Sequence, residues 1–158
     1  MTDRFERFSL AITEVSRYWH KIASDELEQY GMKGPHAIYL LTMDRYDEGI
    51  TAAQLSEITG KDKSDVSRAM SLMQRKGLVS RVEMHGNPYR ARLHLTPNGK
   101  AAAEHVRHRA QLAADLAGGN LSEEARTQFY DALESIANNL REISIGGLPA
   151  ADDTQNKE

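Results

Sequence analysis

The sequence predicts a mainly α protein with a small β-hairpin wing, built as a winged helix-turn-helix between longer terminal helices. Apolar residues recur three and four apart over most of the 158 residues. Residues 51–96 instead combine two short capped helices with an alternating, hairpin-like segment. Basic residues concentrate in the same stretch, since residues 61–92 carry a net charge of +5 while the whole chain carries −3. Such asymmetry is typical of a basic face on an acidic body and favours a polyanionic partner.

The composition is that of an ordinary globular chain, with 40% hydrophobic and 27% charged residues. We expect a single domain over residues 1–145, with the winged helix-turn-helix at about 35–96 and a disordered tail at 146–158. The absence of cysteine excludes disulfides and thiolate zinc sites. The first residues lack the apolar core of a signal peptide, and no segment resembles a membrane span, so we expect a cytoplasmic protein.

At each end of the chain, the spacing of the apolar residues predicts one long amphipathic helix. The first runs from residue 4 to about 30, where Gly31 interrupts it, and the last begins after Ser122. Because both stripes need a partner, we expect the two helices to pack together and to join a two-fold partner. The stripes are Phe5, Phe8, Ile12, Val15, Trp19 and Ile22, and Ala125, Phe129, Ala132, Ile136, Leu140 and Ile143.

The central block, residues 51–96, begins with two predicted helices that Gly60 separates. Thr51 and Gln54 match a capping box, and Asp62 is the expected N-cap of the second helix, which ends at Gly77. Strands at 78–82 and 91–95 follow, separated by the turn-forming residues 85–88. Thr96-Pro97 then begins another helix, which continues to about residue 117. A nearly all-apolar segment at 36–46 predicts a buried helix before the block.

The segments DKSDVSR, MQRKGLV and LTPNGKA make the chain recognisable. At residues 5–145 it closely resembles the MarR family of bacterial transcription regulators. The resemblance implies a homodimer, with dimerisation helices at about 4–30 and 98–145. It also implies that two winged domains bind an inverted repeat in double-stranded DNA, most commonly as a repressor.

On the predicted recognition helix, Lys63 and Arg68 are the best candidates for reading bases or phosphates, because an Arg in the major groove can pair bidentately with guanine. Three serines support them, and Arg75 is expected to reach the DNA backbone at most. Free N–H groups near Thr51 suit a phosphate, although capping explains that residue equally well. The candidate DNA-binding residues are Thr51, Gln54, Lys63, Ser64, Ser67, Arg68, Ser71, Arg75, Arg90 and Arg92.

The sequence departs from the family pattern in two places. Tyr89 stands where the family's wing usually has an Arg, and Arg90 follows one residue later, which would turn it to the other face of a regular strand. Either a bulge restores its direction, or Arg92 joins it in contacting the DNA backbone. Asp65 replaces a small or hydroxyl residue. We expect it to cap the helix, and the alternative is that it accepts a hydrogen bond from a cytosine amine.

Control by a small molecule is compatible with the resemblance, which places an effector pocket between the dimerisation helices and the winged domain. The candidates by position are Trp19, His20, His36 and Tyr39. For Trp19 and Tyr39, packing in the core or at the interface is a simpler explanation than effector binding.

We expect no cofactor, no metal and no enzymatic activity, since the sequence contains none of the G-x-S-x-G, P-loop, H-E-x-x-H or G-x-G-x-x-G motifs. Two alternatives stay open. One is a zinc-responsive regulator using His105 and His108, with His36 or Glu104 as further donors. The other is a winged helix that binds proteins rather than DNA, which the polar, basic surface of the recognition helix disfavours.

Overall fold

The computed structural model describes residues 3–84 and 86–149, without the side chains of residues 84 and 87–90. Within these residues the chain forms six α-helices and one two-stranded antiparallel sheet. The elements are α1 (Arg4–Leu27), α2 (Ala37–Met43), α3 (Ala52–Thr59), α4 (Lys63–Arg75), β1 (Val79–Met84), β2 (Asn87–Leu95), α5 (Pro97–Ala117) and α6 (Glu123–Gly146). The predicted fold class is therefore confirmed. No helix among the described residues is long and apolar enough to span a membrane.

The predicted element boundaries hold within a few residues. The first helix ends at Leu27 and continues as a 3₁₀ turn (Glu28–Tyr30) that Gly31 terminates with a φ of 67°. A second 3₁₀ turn (Gly34–His36) precedes α2. Both strands are longer than predicted because the hairpin pairs up to Met84 and Asn87. The predicted tail lies largely in residues 150–158, which are outside the described residues.

The core of residues 1–113 lies under the helix-turn-helix and the hairpin. It includes side chains from α2, α3, α4, both strands and the first half of α5, together with the last residue of α1. Burial of these apolar side chains supplies most of the free energy that holds the helices in place. The largest fully buried side chains are Leu27, Leu40, Ile50, Leu55, Val66 and Met73.

The hairpin is anchored to the segment before α3. Ile50 and Leu93 exchange both backbone hydrogen bonds, at 3.0 and 2.8 Å, so β2 is paired on both sides at this point. Gly49 lies against the ring of His94, and a Cβ there would meet the ring at 2.5 Å. The positive φ of 78° favours glycine at this position.

Both terminal helices expose their apolar stripes in this single chain. In α1, Val15 is 65% and Trp19 43% exposed, and no residue of α6 is buried. The chain divides into two compact units, residues 1–113 and 114–158, so each helix is described within its own unit. The predicted packing of the first helix on the last stays a prediction.

The start of α5 packs closely against the strand-forming segment. The Thr96 hydroxyl donates to the carbonyl of Gly77 at 2.6 Å and accepts from the Gly99 amide at 3.0 Å, which confirms the predicted helix start. A Cβ on Gly99 would lie only 2.0 Å from the carbonyl oxygen of Leu78. Since that oxygen belongs to the backbone, it cannot move without displacing the hairpin.

We therefore expect Gly99→Ala to lower the free energy of unfolding by about 2 kcal/mol, the usual cost of overpacking a rigid site. Gly146→Ala is the matched control, because a Cβ there meets nothing within 4 Å. Urea denaturation at one fixed protein concentration measures both. Equal stability of the two variants would contradict the close packing of α5 on Leu78.

Candidate nucleic-acid interface

Two short helices, α3 and α4, meet at a turn that the local sequence determines. The Thr51 hydroxyl accepts from the Gln54 amide at 3.2 Å, and the Gln54 side chain accepts from the Thr51 amide at 3.1 Å, which is the predicted capping box. Gly60 ends α3 with a φ of 65°. Asp62 then caps α4, as predicted.

The cap of α4 is a short network of hydrogen bonds. The Asp62 carboxylate accepts from the Asp65 amide at 2.7 Å and from the Ser64 hydroxyl at 2.7 Å. These bonds, that from the Asp65 amide first, lower the pKa of Asp62 from its usual value. The network therefore favours the ionised form of Asp62, whose negative charge at a helix N-terminus is stabilising.

The α4 helix has one apolar face and one polar face. Val66, Ala69, Met70 and Met73 are buried in the core, as their spacing predicts. The opposite face consists of short hydroxyls and flexible cations, all of them exposed. It contains Lys63, Ser64, Ser67, Arg68, Ser71 and Arg75. The six predicted contact residues of this helix are thus brought together on one accessible surface.

Arg68 is held by its own helix. Its Nη2 donates to the Asp65 carboxylate, and its Nη1 lies 3.4 Å from the Ser64 hydroxyl. Both side chains of the ion pair are accessible, with 70% of Arg68 and 47% of Asp65 exposed. The expectation that Asp65 caps the helix is wrong, because its carboxylate accepts from Arg68 and the cap is supplied by Asp62.

A groove of about 640 Å³ separates α4 from the start of α2. It brings Lys33 and Lys61 beside the cations of α4. Lys61 belongs to the basic stretch recognised in the sequence, whereas Lys33 lies thirty residues before α4 and had no signal that could place it here. The lining residues are Lys33, Pro35, His36, Tyr39, Lys61, Asp65, Ser67, Arg68, Ala69, Ser71, Leu72 and Arg75.

Only two of the four effector candidates line this groove. His36 and Tyr39 line the groove, whereas Trp19 and His20 do not. Burial lowers the pKa of His36, with a further contribution from the charge of Lys33, and its Nδ1 accepts from the Lys33 amide at 3.0 Å. Burial likewise raises the pKa of Tyr39, which is 3% exposed. Trp19 lies on the exposed stripe of α1, and the His20 ring is 3.3 Å from the Ser16 hydroxyl.

The wing has an irregular register where the sequence departs from the family. Val82 pairs with Arg92, but Met84 pairs with Asn87, so β2 contains extra residues in the segment that includes Arg90. A bulge was one of the two possibilities raised by the sequence. The side chains of Tyr89 and Arg90 lie outside the described residues, and the DNA contact of Arg90 stays a prediction.

Arg92 has a structural role that the sequence did not indicate. Its Nη1 donates to the carbonyl of Glu48 at 3.0 Å and to that of Gly49 at 3.2 Å. These bonds tie β2 to the turn that precedes α3, next to the Ile50–Leu93 pairing. The predicted contact of Arg92 with DNA stays a prediction.

The His residues considered for zinc lie in different surroundings. His105 Nε2 is 2.9 Å from Glu26 Oε2, while Arg109 Nε donates to Glu26 Oε1 at 2.7 Å. These contacts, that of Arg109 first, lower the pKa of Glu26 and join α1 to α5 by an ion-pair cluster. His108 is exposed. In the described parts of the chain, no group of three or more His, Asp or Glu side chains is placed to hold a metal ion.

The fold and this surface define a winged helix-turn-helix protein with a polar, basic recognition helix. Residues 30–86 match the model of the MarR family. A MarR transcriptional regulator from Methanosarcina mazei Go1 has the same fold, with a TM-score of 0.77 and 24% identity over 87% of this chain and 99% of that one. No curated protein is a significant match to the sequence.

Two similar structures contain DNA. One is a putative MarR family regulator from Listeria monocytogenes with a 26mer DNA, which has a TM-score of 0.77 and 19% identity over 96% of this chain and 99% of that one. The other is the S. aureus MepR–DNA complex, with a TM-score of 0.76 and 20% identity over 84% of this chain and 97% of that one. Together with the family match over residues 30–86, the shared fold confirms the resemblance to MarR family regulators that the sequence indicated.

We expect Arg92→Ala to lower the free energy of unfolding by about 1–2 kcal/mol, because two carbonyl groups lose a charged donor. Protection of the hairpin amides from hydrogen exchange should fall at the same time. Lys100→Ala is the control, since its exposed ion pair with Asp47 is long, at 3.4 Å, and should contribute less than about 0.5 kcal/mol. A stable Arg92→Ala protein with unchanged exchange would rule out the anchoring role.

Proposed function

We propose that this chain is a DNA-binding transcriptional regulator that reads duplex DNA with the exposed face of α4. The observation that carries the proposal is the division of this helix into a buried apolar face and an accessible face of hydroxyls and cations. A helix of this kind fits the major groove, where small side chains allow close approach and cations meet acceptors. The DNA in two similar structures supports the same use of the fold.

The candidate residues divide by their position in the fold. Lys63 is the first residue of α4 and Arg68 follows about one and a half turns later, so both lie in the N-terminal half of the helix, the half of a recognition helix that contacts base edges. Arg75, in the last turn, is assigned to a phosphate. The α3 N-terminus at Thr51 and Gln54 is assigned to a second phosphate, and Arg90 and Arg92 to the wing contact.

The proposal includes a homodimer formed through the terminal helices. The stripe of α1 exposes large side chains in the single chain, including Phe5, Val15 and Trp19. An exposed row of this size is unusual for a monomer and marks an interface. Two-fold symmetry would place the recognition helices about 34–36 Å apart, so the operator is a pseudo-palindrome with half-sites one helical turn apart.

We further propose that the protein acts in the cytoplasm as a repressor, by occupying an operator that overlaps a promoter. A small molecule could release it by binding the groove that contains His36 and Tyr39. A ligand there would touch Arg68 and Arg75 directly, because both line the same groove. It would favour the DNA-free state only if it binds that state more tightly.

Arg68→Ala should lower affinity for an operator about 10–100-fold, the contribution of one bidentate base contact, and affinity for random duplex less than about threefold. The operator is obtained by selecting duplexes from a random library with the wild-type protein. Fluorescence anisotropy at several salt concentrations then measures both affinities. Lys76→Ala, which removes an exposed cation just past the end of α4, is the matched control and should change neither by more than about twofold.

Failure of the wild-type protein to enrich any sequence would overturn the proposed function. Equal losses of affinity for the operator and for the random duplex would instead show that Arg68 does not read a base.

Val15→Glu should convert a dimer into monomers, because it places a charge in the apolar stripe of α1. Sedimentation equilibrium should show twice the 17.7 kDa chain mass for the wild type and an approach to the single mass for the variant. Thr13→Glu adds the same charge on the opposite side of the helix and should stay dimeric. A wild-type protein of 17.7 kDa would exclude the dimer.

A further inference from the structure

We propose that Asp65 is a positioning residue that sets the DNA specificity of Arg68, by holding its guanidinium and by opposing its transfer to phosphate. The proposal rests on the proposed function. It adds a role for an acidic residue that lies among the cations lining the groove beside α4.

Local structure does not require a carboxylate at position 65. The cap of α4 is supplied by Asp62, to which the Asp65 backbone amide donates at 2.7 Å. The side chain of Asp65 is therefore available for another partner. An exposed ion pair between residues three apart on a helix contributes little to stability, so the pair with Arg68 is not explained by folding.

Arg68 is restrained from one side and open on the other. Asp65 accepts from Nη2, and the Ser64 hydroxyl lies 3.4 Å from Nη1. A guanidinium carries five N–H groups, so three of them remain for another partner when Asp65 and Ser64 each accept one. Parallel pairs of guanidinium N–H groups match the two acceptors on the edge of guanine. Holding the side chain before binding also reduces the entropy lost when the contact forms.

The same carboxylate disfavours non-specific binding. On random DNA the affinity comes almost entirely from cations that neutralise phosphates. While Arg68 is paired, the Asp65 carboxylate offsets its charge, so it adds little to the attraction of phosphates. If Arg68 left the pair, the freed carboxylate would face the phosphates at short range. The cations beside it in the groove, including Lys33, Lys61 and Arg75, do not depend on this pair and still bind the backbone. Asp65 thus lowers non-specific affinity more than it lowers specific affinity.

The test compares Asp65→Asn and Asp65→Ala with the wild-type protein on two duplexes of equal length, one selected by the wild type and one of random sequence. Each variant should bind the random duplex more tightly and lose roughly tenfold in the ratio of the two affinities, the low end of one base contact. The salt dependence of random binding should steepen by about one counterion for each protomer, because Arg68 becomes free to neutralise a phosphate.

Glu57→Gln is the matched control, since it removes one exposed negative charge from α3 outside the network of Asp65, Ser64 and Arg68. It should leave the affinity ratio within about twofold, because it changes the overall charge but not the position of Arg68. Thermal unfolding of the Asp65 variants should stay close to the wild type, which separates positioning from folding.

The second part of the experiment repeats the comparison in an Arg68→Ala background. In that background Asp65→Asn should leave the ratio unchanged, because Asp65 acts through Arg68. A lower ratio there would mean that Asp65 contacts a base itself, as a cytosine amine acceptor would, and would overturn the proposal. An unchanged ratio in Asp65→Asn, with the wild type still selecting a sequence, would overturn this inference alone. Failure of the wild type to select any sequence would overturn the proposed function with it.

Discussion

Burial of one face of α4 is the constraint on which the site depends. Val66, Ala69, Met70 and Met73 are 0–4% exposed, so rotation of the helix about its axis would bring polar side chains into the core. The helical period then fixes Arg68 and its neighbours on the accessible side. Core packing thus decides which side chains form the proposed DNA-binding face, and a side chain such as Arg68 can be exposed yet still have a defined direction.

The wing is held by a different kind of interaction. A two-stranded hairpin has little stability alone, and here β2 gains a second partner through the Ile50–Leu93 pairing and a charged donor through Arg92. Both contacts reach the segment just before α3. The hairpin is therefore fixed to the helix-turn-helix. A displacement of the hairpin would also displace the N-terminal end of α3.

Local signals predicted the helices and their caps because these depend on residues three or four apart. Thr51, Asp62, Gly77 and Thr96 could all be assigned from the sequence, and each occupies the expected position. Two site features escaped this reasoning. Lys33 reaches the groove through the packing of α2 near α4, and Arg92 meets carbonyl groups more than forty residues earlier. Neither has a local pattern that could have revealed it.

The sequence by itself determined the element order, the polar face of α4 and the family resemblance, because period, capping and turn chemistry act over a few residues. Only the tertiary structure decided how Asp65 and Arg92 are used. Asp62 caps α4 as predicted, but Asp65, which was expected to contribute to the cap, accepts from Arg68 instead. In sequence, Arg92 is one of the polar residues that alternate with apolar residues along β2. Its carbonyl partners come within reach only when the hairpin packs beside the turn before α3. A side chain's partner is chosen among all groups within reach, and folding decides which groups those are.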